Sequence, residues 1–147
     1  ARAYVTTDPL RGEMMLRRRA YGQAAEFLRK AVDSGATDSQ VYVMYGFALF
    51  SDLESDETTR LEDARRAWDR ALELDARNPD VHFHLSLYWK ARGDSAEQRR
   101  ALKDTLSLDP KHMDAQRELR LLEMRTTKTE GAGGFFARIK AALTKKR

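Results

Sequence analysis

Chemistry in this chain would have to come from three histidines, scattered carboxylates and a few glycines, because no cysteine is present among its 147 residues. His82 and His84 stand two apart, and on a helix that spacing turns them about 200° from one another, so they cannot converge on one ion. His112 lies far along the chain, and without thiolates the usual zinc groupings cannot form. No metal site is expected. The acid pairs Glu73/Asp75 and Asp52/Glu54 sit at helix ends or in a long polar turn, where solvated charge is the ordinary explanation and no acid-base pair is implied. The cluster Gly131-Ala132-Gly133-Gly134 has no preceding strand and no Lys-Ser or Lys-Thr ending, so it reads as a linker and not as a phosphate loop. The expectation is a chain without catalytic residues and without a cofactor.

The elements behind these residues are helical by composition. A hydrophobic fraction of 41% can form a core, and 34% charged residues with only 3 prolines and 8 glycines suit solvated helices better than a turn-rich sandwich. No apolar run approaches the roughly 18 residues of a membrane span, and the first residues lack a signal peptide's order. A soluble, cytoplasmic protein is expected, with peripheral attachment at the inner face of the membrane as the alternative. The chain begins at Ala1 and soon enters a patterned helix, which suggests a piece of a longer protein. Its net charge of +4 is unevenly placed. From Arg125 onward Lys128, Arg138, Lys140, Lys145, Lys146 and Arg147 face a single acid, Glu130, so the body before them is slightly acidic.

Self-similarity organises the body. Gly12 and Gly46 are 34 residues apart, and Trp68 and Leu102, Ala71 and Thr105, and Ala64 and Gln98 share that period. The spacings from Leu28 to Trp68 and from Ala31 to Ala71 are longer by six, which places a six-residue insertion between Leu49 and Leu61. Its polarity predicts a lengthened turn between helices. Asp80 is a candidate cap for a helix beginning near Val81, Gly93 a turn, and Pro110 a terminator.

These positions resemble the tetratricopeptide-repeat (TPR) family. The second repeat carries Tyr42, Tyr45, Gly46 and Leu49, then Ala64, Trp68 and Ala71; the third carries Leu85, Ser86, Trp89, Gly93, Leu102 and Thr105. The first has Gly12, Met15, Tyr21, Ala24, Leu28 and Ala31, with Asp8 and Arg11 where apolar residues are usual. The resemblance implies an all-α fold of antiparallel helix-turn-helix repeats in a right-handed superhelical stack, closed by a C-terminal capping helix. Repeats are expected at about 5–38, 39–78 and 79–112, with the cap at 114–124, a flexible linker at 125–134 and a basic amphipathic tail helix at 135–147. The closest likeness is to C-terminal TPR modules of larger bacterial proteins.

The same resemblance implies a concave groove on the first helix of each repeat, lined by Leu10, Arg17, Val43, Met44, Phe47, Phe50, Phe83, His84, Leu87 and Lys90. The groove lacks the Lys/Asn clamp of TPR co-chaperones, since Pro9, Glu13, Met44, Asp80 and His84 hold those positions. The function expected is a non-catalytic scaffold or adaptor that binds an apolar or amphipathic peptide. A co-chaperone module of a J-domain protein is an alternative. In the tail, Phe135, Phe136, Ile139 and Leu143 recur at helical spacing beside Lys145, Lys146 and Arg147. That segment reads as a latch in its own or a neighbour's groove, as a helix drawn to anionic lipid, or as a disordered end. Nucleic acid is not favoured, because the body is acidic.

Overall fold

The computed structural model describes residues 2–145, with side chains from residue 7 onward. Among them seven helices follow in order: α1 (Arg2–Arg17), α2 (Tyr21–Asp33), α3 (Ser39–Ser51), α4 (Glu57–Leu74), α5 (Pro79–Ala91), α6 (Ser95–Leu108) and α7 (Met113–Thr144). Each start from α3 onward is fixed by a polar side chain that accepts a backbone N–H of the first turn: Asp38, Asp56, Asn78, Asp94 and His112. At α5 the cap is Asn78, not Asp80, because Pro79 occupies the first helical position and puts Asp80 inside the first turn. Gly35 and Gly93, with φ of 87° and 74°, turn the chain after α2 and α5.

Antiparallel pairs α1/α2, α3/α4 and α5/α6 stack in sequence, and α7 lies on α6. Close approach within a pair requires small residues. A Cβ at Gly12 would stand 2.5 Å from Leu28 Cγ, and one at Gly46 would stand 2.6 Å from Trp68 Cδ1. Ala24, Leu28, Ala31, Ala64, Trp68 and Ala71 are fully enclosed, and the Trp68 indole N–H donates to the Val43 carbonyl at 3.1 Å, so the buried ring leaves no donor unpaired.

The inserted residues do not simply lengthen a turn. The link between α3 and α4 has five residues against three in the other two hairpins, and α4 itself has 18 residues against 13 in α2 and 14 in α6. Most of the insertion is thus an extra helical turn at the start of α4. Glu57 begins it behind the Asp56 cap, whose carboxyl is held below its usual range by the Thr59 backbone N–H. Arg60, in that added turn, donates to the Phe50 carbonyl at 2.7 Å and so satisfies the end of α3.

The segment 125–134, expected to be a flexible linker, instead continues α7 as helix. Thr126, Thr127 and Thr129 donate their hydroxyls to carbonyls four residues earlier, at Leu122, Glu123 and Arg125, a bond that exists only in helical geometry. Composition suggested a break, whereas the threonines are compatible with the ladder. The capping segment and the tail are therefore one 32-residue helix. Lys146 and Arg147 lie outside the described residues.

Candidate functional site

The first helices of the pairs lie side by side, α1 against α3 and α3 against α5. α7 joins this row through contacts from α5: Lys90 Nζ to Glu118 at 2.8 Å, His112 Nε2 to Asp80 Oδ1 at 3.4 Å, and the Phe83 and His112 rings at 4.9 Å. The face formed by these helices is where the expected groove residues come together, but they play different parts.

Val43 is 2% exposed and belongs to the core, because its side of α3 faces the second helix and the Trp68 indole. It does not line an open surface. Leu10 is 62% exposed and stands beside Met14, one turn away, at the outer end of the array; the residues matching Met14 in the following hairpins, Ala48 and Tyr88, are buried by the preceding pair. Arg17 pairs with Glu13 at 2.7 Å, and Lys90 with Glu118. Each cation thus has an acid beside it on the same surface.

Met44, Phe47, Phe50, Phe83, His84 and Leu87 are half-buried. Their rings form a continuous series: Tyr21 to Phe47 at 6.0 Å, Phe47 to His84 at 5.5 Å, His84 to Phe83 at 5.6 Å, and Phe83 to His112, with Trp68 meeting both His84 and Phe50 at 5.6 Å. The three edge-on contacts, Tyr21 to Phe47, Phe47 to His84 and His84 to Phe83, each contribute about 0.5–1.5 kcal/mol beyond area burial. Tyr21 was marked by the repeat pattern, whereas His112 joins the series unmarked, since it sits at the α7 cap, where periodicity carries no signal.

His84 Nδ1 bonds the Asp80 carbonyl at 2.7 Å and therefore carries the proton. Burial pushes its pKa below the usual imidazole value, opposed by the Asp80 carbonyl and charge and assisted by His112. His112 has the other tautomer, because its Nδ1 accepts the Ala115 N–H as the α7 cap. Among the described residues no group of three or more His, Asp or Glu side chains is gathered as a metal would require.

A regularity invisible to the sequence reading concerns His82. Its Nε2–H donates to the Ala76 carbonyl six residues back at 2.8 Å, as Tyr42 Oη donates to Ala36 at 2.9 Å and Gln116 Nε2 to Pro110 at 2.7 Å. Three different side chains close the same inter-pair turn. The matching residue of the first pair is Asp8, 3% exposed, whose Oδ2 meets no hydrogen-bond partner. There α1 already runs as helix from Arg2, so no described turn lies six residues back for Asp8 to close.

Along the free part of α7, Phe135, Phe136, Ile139 and Leu143 are 62%, 68%, 42% and 67% exposed. Residues 127–145 are exposed throughout, so the tail does not occupy its own groove.

No protein-family model matches the chain, and no curated protein matches its sequence. Solved structures do. The first TPR domain of human RPAP3 superposes with a TM-score of 0.75 at 15% identity, covering 89% of this chain and 98% of that one. The Arabidopsis OM64 TPR domain gives 0.73 at 14% identity, covering 84% and 97%. MamA gives 0.72 at 23% identity, covering 90% and 74%. The likeness covers most of the chain, which has the all-α tetratricopeptide-repeat fold.

Proposed function

We propose that the chain is a non-catalytic interaction module whose concave face takes an apolar or amphipathic peptide segment. One observation carries the reading: Met44, Phe47, Phe50, Phe83 and Leu87 present half-covered apolar edges side by side on α3 and α5, while the charges at the rim are paired with each other. Such a surface rewards side-chain burial more than charge. Other proteins of this fold take peptides: the first TPR domain of RPAP3 is seen with an HSP90 peptide, SRMEEVD, and the second with an HSP70 peptide. Both of those peptides end in acidic residues, whereas this face carries Glu13, Asp80 and Glu118. An acidic C-terminus is therefore a poor ligand here, and an apolar helix or strand a good one.

The test is selection of peptides from a displayed random library against the intact chain, followed by calorimetry. Peptides rich in Leu, Ile and Phe are expected, with affinity lowered about tenfold or more by Leu87→Glu, as burial of one such side chain implies, and with the melting temperature nearly unchanged. SRMEEVD is expected not to bind. Recovery of acidic C-terminal peptides, or binding indifferent to Leu87→Glu and Met44→Ser, would sink the reading. The chain's own tail is a weaker ligand for this face, because α7 would have to break before the tail could return to it.

A further inference from the structure

Beyond Leu122 the last helix leaves the array. Its packed side carries Ala115, Leu119 and Leu122 against α6, and the apolar residues further along do not continue that side. At about 100° per residue, Phe135, Ile139, Leu143 and Phe136 fall within an arc roughly 100° wide, turned roughly 120° from the packed side. Leu121 and Met124, 41% and 68% exposed, lie on nearly the same azimuth closer to the array, with Arg125 and Lys128 between them and Phe135. Arg138 lies on one flank of the arc and Lys140 on the other, and neither meets an acid among the described residues.

We propose that this face binds an anionic membrane surface, with the helix lying in the interfacial plane. Two requirements have to be met together: cover for the two phenylalanines, the isoleucine and the leucine, and neutralisation of the cations beside them. A second copy's tail offers the first and violates the second, since like charges would be brought together. The groove of a copy offers an apolar floor, but its acids already have partners, Glu13 with Arg17, Glu118 with Lys90 and Asp80 with His112, so none is left to neutralise the tail's cations. A lipid interface supplies both, with rings and aliphatic chains below the headgroups and flanking Lys and Arg reaching up to phosphate. The tail's excess of basic residues over Glu130 supplies the attraction. Gly131, Gly133 and Gly134 meet nothing within 4 Å of an added Cβ, so the helix can bend there without losing packing. The arm can then lie flat while the array keeps its own orientation and its concave face stays free.

The intact chain is sedimented with vesicles of phosphatidylcholine alone and with vesicles containing about 30 mol% phosphatidylserine. Binding is expected only to the anionic vesicles, and to weaken about tenfold between roughly 50 mM and 300 mM salt. The double substitution Phe135→Ser, Phe136→Ser is expected to abolish it while leaving thermal unfolding unchanged, because both rings are exposed. Phe135→Trp is expected to add an emission, over that of Trp68 and Trp89 in the parent, that shifts to the blue on anionic vesicles. The proposal is overturned by failure to bind anionic vesicles at low salt, by equal binding to neutral ones, or by binding that survives the double substitution. A concentration-dependent dimer that the double substitution abolishes, with no vesicle binding, also overturns it and assigns the stripe to a second copy. None of these results bears on the groove, which is tested through Leu87 and Met44.

Discussion

At the scale of single residues, two positions decide how the hairpins close. Gly46 lies against the Trp68 indole, and neither backbone nor a fully enclosed ring can move aside easily. Gly46→Ala is expected to cost about 1–3 kcal/mol, the usual range for overpacking, read as a lower urea midpoint with an unchanged slope. Arg19 presents the opposite case. It adopts φ 58° in the α1–α2 turn, at the place where the third hairpin has Gly93 at φ 74°, and its side chain is exposed. Arg19→Gly is expected to stabilise by up to about 1 kcal/mol, since relief of left-handed strain outweighs the added freedom of the unfolded chain; unchanged or lower stability in the same urea experiment would refute that. The glycine contacts were legible in the sequence because the period aligned them with Leu28 and Trp68. The closure shared by Tyr42, His82 and Gln116 was not, because a phenol, an imidazole and an amide have no common pattern beyond donating one hydrogen bond.

At the scale of elements, the helices were readable and their ends less so. The period located each pair, yet the expected cap Asp80 gave way to Asn78 and the six added residues went mainly into α4. A polar run such as Glu57-Thr58-Thr59-Arg60 fits an exposed helical turn as well as it fits a loop, and what selects helix is the bond from Arg60 to the end of α3. Of the candidate groove the resemblance supplied a residue set in which Val43 proves to be core, and the ion pairs of Arg17 and Lys90 were beyond the reach of the pattern. The ring series across α3, α5 and the α7 cap also makes this face sensitive to acid. His84 is held below the normal imidazole pKa, chiefly by burial, so near and below pH 6.5 the unfolded chain binds the proton more readily than the folded one. Stability from this group is present above the unfolded value and is lost as pH falls through the lower folded value. His84→Phe removes that titration, and its pH profile between about 4 and 7 is expected to be flatter than the parent's by equilibrium unfolding. Parallel profiles would show that His84 does not titrate between the two states.

At the scale of the whole molecule, a stack of hairpins is stable only where each pair has a neighbour to cover it. α7 therefore has two parts with different consequences, although it is one helix. Its first turns bury Leu102 and Phe83 beneath Ala115, Leu119 and Leu122, and the His112 cap ties them to α5 through Asp80 and Phe83. Beyond these turns the link to the array is the hydrogen bond from Arg99 to Thr126 at 3.1 Å, and every residue from 127 to 145 is exposed. Ending the chain after Glu130 should thus leave the melting temperature within about 2 °C of the parent, since no buried area is lost. Ending it after Asp109 removes two buried leucine-sized contacts and leaves Leu102 and Phe83 open to water. The loss of about 3–5 kcal/mol corresponds to a fall on the order of 10 °C for a chain of this size. Amide exchange distinguishes the parts within the intact protein: residues 115–122 should exchange as slowly as α6, and residues 131–134, where each glycine costs the helix about 1 kcal/mol, should be among the fastest. Equal protection along the whole of α7 in the absence of lipid would mean that the tail already has a partner in solution, and the array and its arm would then have to be treated as one cooperative unit.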